Sequence, residues 1–126
     1  LAEDNESSIE MVSGYFESAG YRVHVARNGL AAVQLASSLQ PDVIVMDIQM
    51  PELDGHQAMQ RIRREENGRR VPIIAVTALA MPGDEERSRE AGADEYLTKP
   101  VSLRHLRKHI EHWLTLDATK TRDEAL

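Results

Sequence analysis

Two stretches, DVIVM at 42–46 and VPIIAVTA at 71–78, each hold a run of apolar, largely β-branched residues with no polar residue inside it. Runs of this length are too short for a buried helix and read as strands covered on both faces. Such strands suit a parallel sheet with helices above and below, and the alternation of strands and helices along the rest of the chain selects that arrangement.

Helical periods alternate with the strands. Over 6–19, Ile9, Val12, Phe16 and Ala19 recur at helical spacing, and Gly20 stops them. YRVHVA (21–26) alternates as a strand does, Asn28-Gly29 turns the chain, and Leu30, Val33, Ala36 and Leu39 carry a second helix. A third helix follows Gly55, with Ala58, Met59 and Ile62 inward, and ends at Asn67-Gly68. A charged helix over roughly 83–91 is capped by Gly92, and EYLT (95–98) forms a short strand before Lys99-Pro100. The last helix runs from Ser102 to about Leu116, with Leu103, Leu106, Ile110, Trp113 and Leu114 on its apolar face.

The expected fold is therefore α/β, a doubly wound five-stranded parallel sheet with helices on both faces. Its first strand looks truncated, because only Leu1 and Ala2 precede the acids Glu3 and Asp4, where about five residues are usual. The simplest account is that residues upstream of Leu1 are missing from this chain. With 126 residues there is room for one domain, placed at 1–116, and DATKTRDEAL (117–126) reads as a polar tail or linker.

Composition removes several function classes. A formal net charge of −6 argues against direct nucleic-acid binding, which depends on Lys and Arg displacing counterions. The absence of cysteine excludes a disulfide framework, thiolate catalysis and Cys-based zinc sites, and fits a cytoplasmic protein. No apolar run approaches the roughly 18 residues that span a bilayer, so neither direct membrane contact nor a signal peptide is expected.

In an open parallel sheet, ligands bind beyond the carboxyl ends of the strands. Glu3 and Asp4 follow the first strand, Asp47 the third, Thr77 the fourth and Lys99 the fifth. Each alone has an ordinary role: Asp4 or Asn5 as a helix N-cap, Asp47 as a cap for the next turn, Thr77 as a strand residue, Lys99 as a solvated charge. Three carboxylates crowded at one sheet edge, however, repel one another unless a cation offsets them. Of the five histidines only His56 lies near these acids in sequence, so a soft-metal site has nothing to build on. Mg²⁺ takes one or two carboxylates, a backbone carbonyl, waters and often a phosphate oxygen, which points to phosphoryl chemistry. A carboxylate can be the nucleophile and form an acyl phosphate, with Lys99 and the Thr77 hydroxyl against the phosphoryl oxygens.

The acidic pair in LAEDN, then VIVMDIQMPELDG, IIAVTA and YLTKP, in this order and each at a strand end, closely resemble the receiver domain of two-component signalling over residues 1–116. The resemblance implies a phosphoacceptor at Asp47 and Mg²⁺ held by Glu3, Asp4, Asp47 and the Gln49 carbonyl. It also implies a switch hydroxyl at Thr77, the family's ammonium at Lys99, a cis Lys99-Pro100 peptide and an aromatic switch residue at Tyr96. The implied partner is a histidine kinase or a histidine phosphotransfer domain, and the domain assists its own aspartyl phosphorylation and dephosphorylation. Gln49 and Leu79 occupy positions that influence acyl-phosphate hydrolysis in the family. The wording of AEDN, MDIQMPELDG, TALAMPGD and EAGADEYLTKP resembles receivers fused to hybrid histidine kinases. In that case kinase activity belongs to the longer protein.

Other readings compete. One is a free-standing response regulator, and another is a degenerate receiver that binds partners without phosphorylation. A haloacid-dehalogenase-like phosphatase needs a second Asp where Gln49 stands, and a flavodoxin-like module needs a Ser/Thr/Gly-rich first loop where AEDNESS stands. Dimerisation is left open, because GDEERSREAG (83–92) carries charges of both signs.

Overall fold

The computed structural model describes the backbone of residues 1–66 and 70–125, and the side chains of 1–66 and 70–116. The elements are α1 (Glu6–Ser18), α2 (Gly29–Leu39), β1 (Ile44–Asp47), α3 (Gly55–Glu65), β2 (Ile73–Thr77), α4 (Asp84–Ala91), β3 (Glu95–Thr98) and α5 (Leu103–Ala125).

β1, β2 and β3 form a parallel sheet in that order, with Ile44 opposite Ile73 and Ile74 opposite Glu95. Two isolated parallel bridges widen it, for Ala2 pairs with Met46 on one side and Ala26 on the other. The spatial order is thus Ala26, Ala2, β1, β2, β3, the doubly wound arrangement expected from the sequence.

Three of the five strand positions are regular strands, and YRVHVA is not one of them. This segment pairs only with Leu1–Glu3, so its ladder shrinks to the bonds from the Leu1 amino group to His24 O (2.9 Å), from Ala26 N–H to Leu1 O (2.8 Å) and from Glu3 N–H to Ala26 O (2.9 Å). Between Tyr21–His24 and Val43–Val45 lies an apolar cavity of about 130 Å³.

The sheet separates two cores. Ile44, Met46, Ile73 and Ala75 pack with Ala32 and Val33 of α2 and with Ala58, Met59 and Ile62 of α3. On the opposite face, Ile74 and Val76 pack with Phe16 of α1 and with Leu106 and Ile110 of α5. All five residues of β2 are buried, as a strand sandwiched between helices must be.

Most helix boundaries agree with the sequence reading. Gly92 ends α4 with φ 126°, a conformation that favours glycine. In α2 the inward residues are Ala32 and Val33, while Leu30 and Leu39 are exposed. The helix turns its small residues toward the sheet, which lets its backbone approach closely. α3 closes at Glu65, and the expected stop at Asn67-Gly68 lies outside the described residues. α5 continues past Leu116 to Ala125, in keeping with a sequence that contains neither Gly nor Pro after Pro100.

Candidate functional site

The carboxyl ends of the strands converge on a cluster of charge. Asp47 closes β1, and Thr77 closes β2 one position beyond Val76, the register partner of Asp47. Glu3 follows the bridge at Ala2, and Lys99 follows β3. Glu3, Asp47 and Thr77 are buried, whereas Asp4 is exposed.

Asn5 is the N-cap of α1, its Oδ1 accepting from Ser8 N–H at 3.0 Å, so Asp4 is not used as a cap. Glu3 Oε2 accepts from the N–H groups of Asp4 (3.0 Å) and Asn5 (3.3 Å), which turns its carboxylate back over the sheet edge. Lys99 Nζ bridges Glu3 Oε1 at 2.9 Å and Asp47 Oδ2 at 3.3 Å. The other Asp47 oxygen, Oδ1, accepts from Gln49 N–H at 3.0 Å. One ammonium thus serves two buried carboxylates.

That imbalance shows in the titration of the pair. Burial, then a hydrogen bond and repulsion from Glu3, push the Asp47 carboxyl up to about 6, against the opposing pull of Lys99 and Gln49 N–H. Burial also acts to raise Glu3, but its bonds to Asp47, Lys99 and Asn5 N–H outweigh it and leave Glu3 below the ordinary range. Lys99 is opposed by desolvation, yet the two carboxylates raise its pKa. At neutral pH the cluster therefore carries excess negative charge. Glu3, Asp4 and Asp47 each present one carboxylate oxygen within 4.8 Å of the others, an all-oxygen set suited to a hard divalent cation.

The loop after β1 is built by close approach. Gly55 N–H donates to Ile48 O at 3.0 Å, and a Cβ at Gly55 would lie 2.6 Å from Ile48 Cα and 2.7 Å from Asp47 O. Only glycine allows α3 to start against the residue that ends β1. Asp54 caps α3 reciprocally, with Gln57 N–H donating to Asp54 Oδ1 (2.9 Å) and Asp54 N–H to Gln57 Oε1 (3.4 Å).

Across the loop, the Gln49 side chain reaches β2. Its Nε2 donates to Thr77 Oγ1 at 2.6 Å, and its Oε1 accepts from Ala78 N–H at 3.2 Å. Leu79 N–H also donates to Thr77 Oγ1, at 3.2 Å. Sequence reasoning gave Gln49 a backbone role toward Mg²⁺ and a position that influences acyl-phosphate hydrolysis, and missed this side-chain bridge, since the 28 positions from Gln49 to Thr77 give no local signal.

Tyr96 stands apart from the charge cluster. Its ring packs on the α2/α3 core, and its hydroxyl faces Asp84 Oδ2 at 3.5 Å, a long contact. Burial and the Asp84 charge raise the Tyr96 pKa. The Lys99-Pro100 peptide is cis.

Comparison with known proteins gives a consistent result. A family model described as the response regulator receiver domain matches residues 1–111. The polar-differentiation response regulator DivK of Brucella anthropi is 40% identical over 114 residues, which cover 90% of this chain and 93% of that protein. The receiver domain of the sensor histidine kinase PA1611 from Pseudomonas aeruginosa, solved with a magnesium ion coordinated in its active site cleft, is 42% identical with a TM-score of 0.83. That alignment covers 91% of this chain and 94% of the solved one. A receiver domain of a histidine kinase from Syntrophus aciditrophicus is 35% identical, with a TM-score of 0.82 and coverage of 90% and 86%.

Proposed function

Since this chain belongs to the response regulator receiver family of two-component signalling, we propose that Asp47 is its phosphoacceptor, taking a phosphoryl group from a phosphohistidine of a histidine kinase or phosphotransfer partner. The observation that carries this reading is the buried Asp47 carboxylate held between Lys99 and Gln49 N–H, with Glu3 and Asp4 beside it. An Asp47 oxygen forms the new bond to phosphorus. The phosphorus–nitrogen bond of the donor breaks, and its electron pair stays on the imidazole, which takes up a proton.

Glu3, Asp4, Asp47 and the Gln49 carbonyl would hold Mg²⁺, which when bound supplies positive charge against the developing phosphoryl oxygens. Lys99 adds a fixed positive charge on the side away from Gln49 N–H. Thr77 supplies the hydroxyl that moves to a phosphoryl oxygen, and Tyr96 follows it, altering the face formed by α4, β3 and α5. The output is a changed binding surface.

The closeness to receivers of sensor histidine kinases supports placing this domain, residues 1–116 with 117–126 as a polar tail or linker through which α5 extends to Ala125, in a hybrid histidine kinase on the cytoplasmic side. The similar identity to DivK supports the second reading, a free-standing response regulator. Among the described residues no helix is long and apolar enough to cross a membrane.

Intact mass measured after Mg²⁺ and acetyl phosphate tests the chemistry. The wild type is expected to gain one phosphoryl group and Asp47→Asn none. A folded wild type that gains no mass and shows no fluorescence response to beryllofluoride is instead an interaction module that works without phosphorylation.

A further inference from the structure

The amide of Gln49 spans two donor positions at the end of β2. Ala78 N–H can only donate, so the atom of Gln49 facing it is the carbonyl oxygen, and the atom facing Thr77 is then the NH₂ group. Thr77 Oγ1 consequently accepts from two donors, Gln49 Nε2 and Leu79 N–H. A hydroxyl oxygen offers two lone pairs, so both are taken in this arrangement. Thr77 is fully buried, whereas Gln49 lies on the surface above it.

A phosphoryl group on Asp47 would present oxygens that only accept hydrogen bonds. Thr77, on the neighbouring strand, must then turn its hydroxyl to donate, and Ala78 N–H is the backbone donor next to it. In the unphosphorylated chain the Gln49 amide holds the Ala78 N–H and the Thr77 oxygen, and although the Thr77 O–H is still free to donate, moving it to a phosphoryl oxygen takes the hydroxyl away from the Gln49 amide. Gln49 stands two residues from Asp47, so its own backbone is tied to the acceptor through the Gln49 N–H bond to Asp47 Oδ1.

The geometry points to Gln49 as a positioning residue whose side-chain amide holds Thr77 and Ala78 in the unphosphorylated arrangement, so that the phosphorylated state forms only by giving up both bonds. The inference rests on the receiver reading and adds to it a residue that sets the balance between the two states. A ligand's apparent affinity falls with the fraction of protein in the competent state. Two neutral hydrogen bonds lost from the free state alone correspond to a change of about five- to 150-fold in that balance.

The test uses Gln49→Ala and Gln49→Met, the second keeping the side chain's bulk without its hydrogen bonds. Each is titrated with beryllofluoride in saturating Mg²⁺ and followed by fluorescence, and the Ala78 amide resonance is recorded in the free proteins. Both variants are expected to bind beryllofluoride about five- to 150-fold more tightly than wild type, with the Ala78 amide proton moved upfield and exchanging faster. Equal affinity in wild type and both variants overturns the inference, as does an Ala78 amide unchanged by either substitution. Tightening in Gln49→Ala but not in Gln49→Met also overturns it, because side-chain volume rather than hydrogen bonding would then be responsible. A folded wild type that takes up no beryllofluoride overturns the receiver reading and this inference together, which separates that failure from the others.

Discussion

Within the site, burial and the neighbouring Glu3 push the Asp47 carboxyl up to about 6. A value raised on folding means that the native state holds this proton more tightly than the unfolded chain. The contribution therefore favours folding at low pH and is lost as pH climbs from about 4, the unfolded value, through about 6. Glu3, whose value is lowered, acts in the opposite sense, but the Asp47 contribution is the one removed by mutation. In metal-free buffer, Asp47→Asn is expected to raise the melting temperature at pH 8 and to change it little at pH 4.5, where Asp47 is already neutral. Thermal unfolding with chelator measures this, and Mg²⁺ should stabilise the wild type more than the variant at pH 8. Equal shifts at both pH values would mean that the Asp47 charge is not the source. The acids themselves were legible in the sequence because each follows a strand. The Gln49 side-chain bridge was not, because it depends on how two loops from different strands meet.

At the level of elements, the segment from β1 to α3 shows how a site residue is fixed by the chain downstream of it. Gly55 packs against Ile48 Cα and the Asp47 carbonyl with no space for a methyl group. Gly55→Ala is expected to destabilise the fold by about 1–3 kcal/mol through overpacking. Because the relief must move the backbone of Asp47 or Ile48, it should also slow labelling by acetyl phosphate. Urea unfolding and the labelling rate, measured on the same preparation, check the two effects, and unchanged values in both would contradict the packing argument. The buried strands β1 and β2 were readable from their apolar runs, and EYLT from its place before Lys99-Pro100. YRVHVA misled because alternation describes the side chains, whereas a strand also needs a neighbour to pair with. Leu1–Glu3 provide it with only one bridge.

For the whole molecule, the doubly wound order could be read from the alternation of strand and helix patterns, but the ties that lock one edge could not. Arg63 at the end of α3 donates to the carbonyls of Gly92 and Val71, both at 2.6 Å, and pairs with Asp94 at 2.8 Å and Glu66 at 2.5 Å. In the sequence it is one of several arginines on a polar helix, and its partners lie up to 31 residues away. Arg63→Met keeps the stem but leaves partly buried acceptors short of donors, and is expected to cost about 1–3 kcal/mol in urea unfolding. A loss below about 0.5 kcal/mol, the range of ordinary surface substitutions, would show that Arg63 is not structural.

The pairing of Lys99 with Glu3 has a consequence for how the protein is made. Their contact joins residues 96 positions apart, and Asp47 and Thr77 lie between them. No contiguous fragment shorter than nearly the whole domain holds the full set of charges. During synthesis the nascent chain exposes its acids long before the lysine that compensates them has emerged from the ribosome. The full set of charges therefore assembles late, once Lys99 has emerged and β3 lies beside β2.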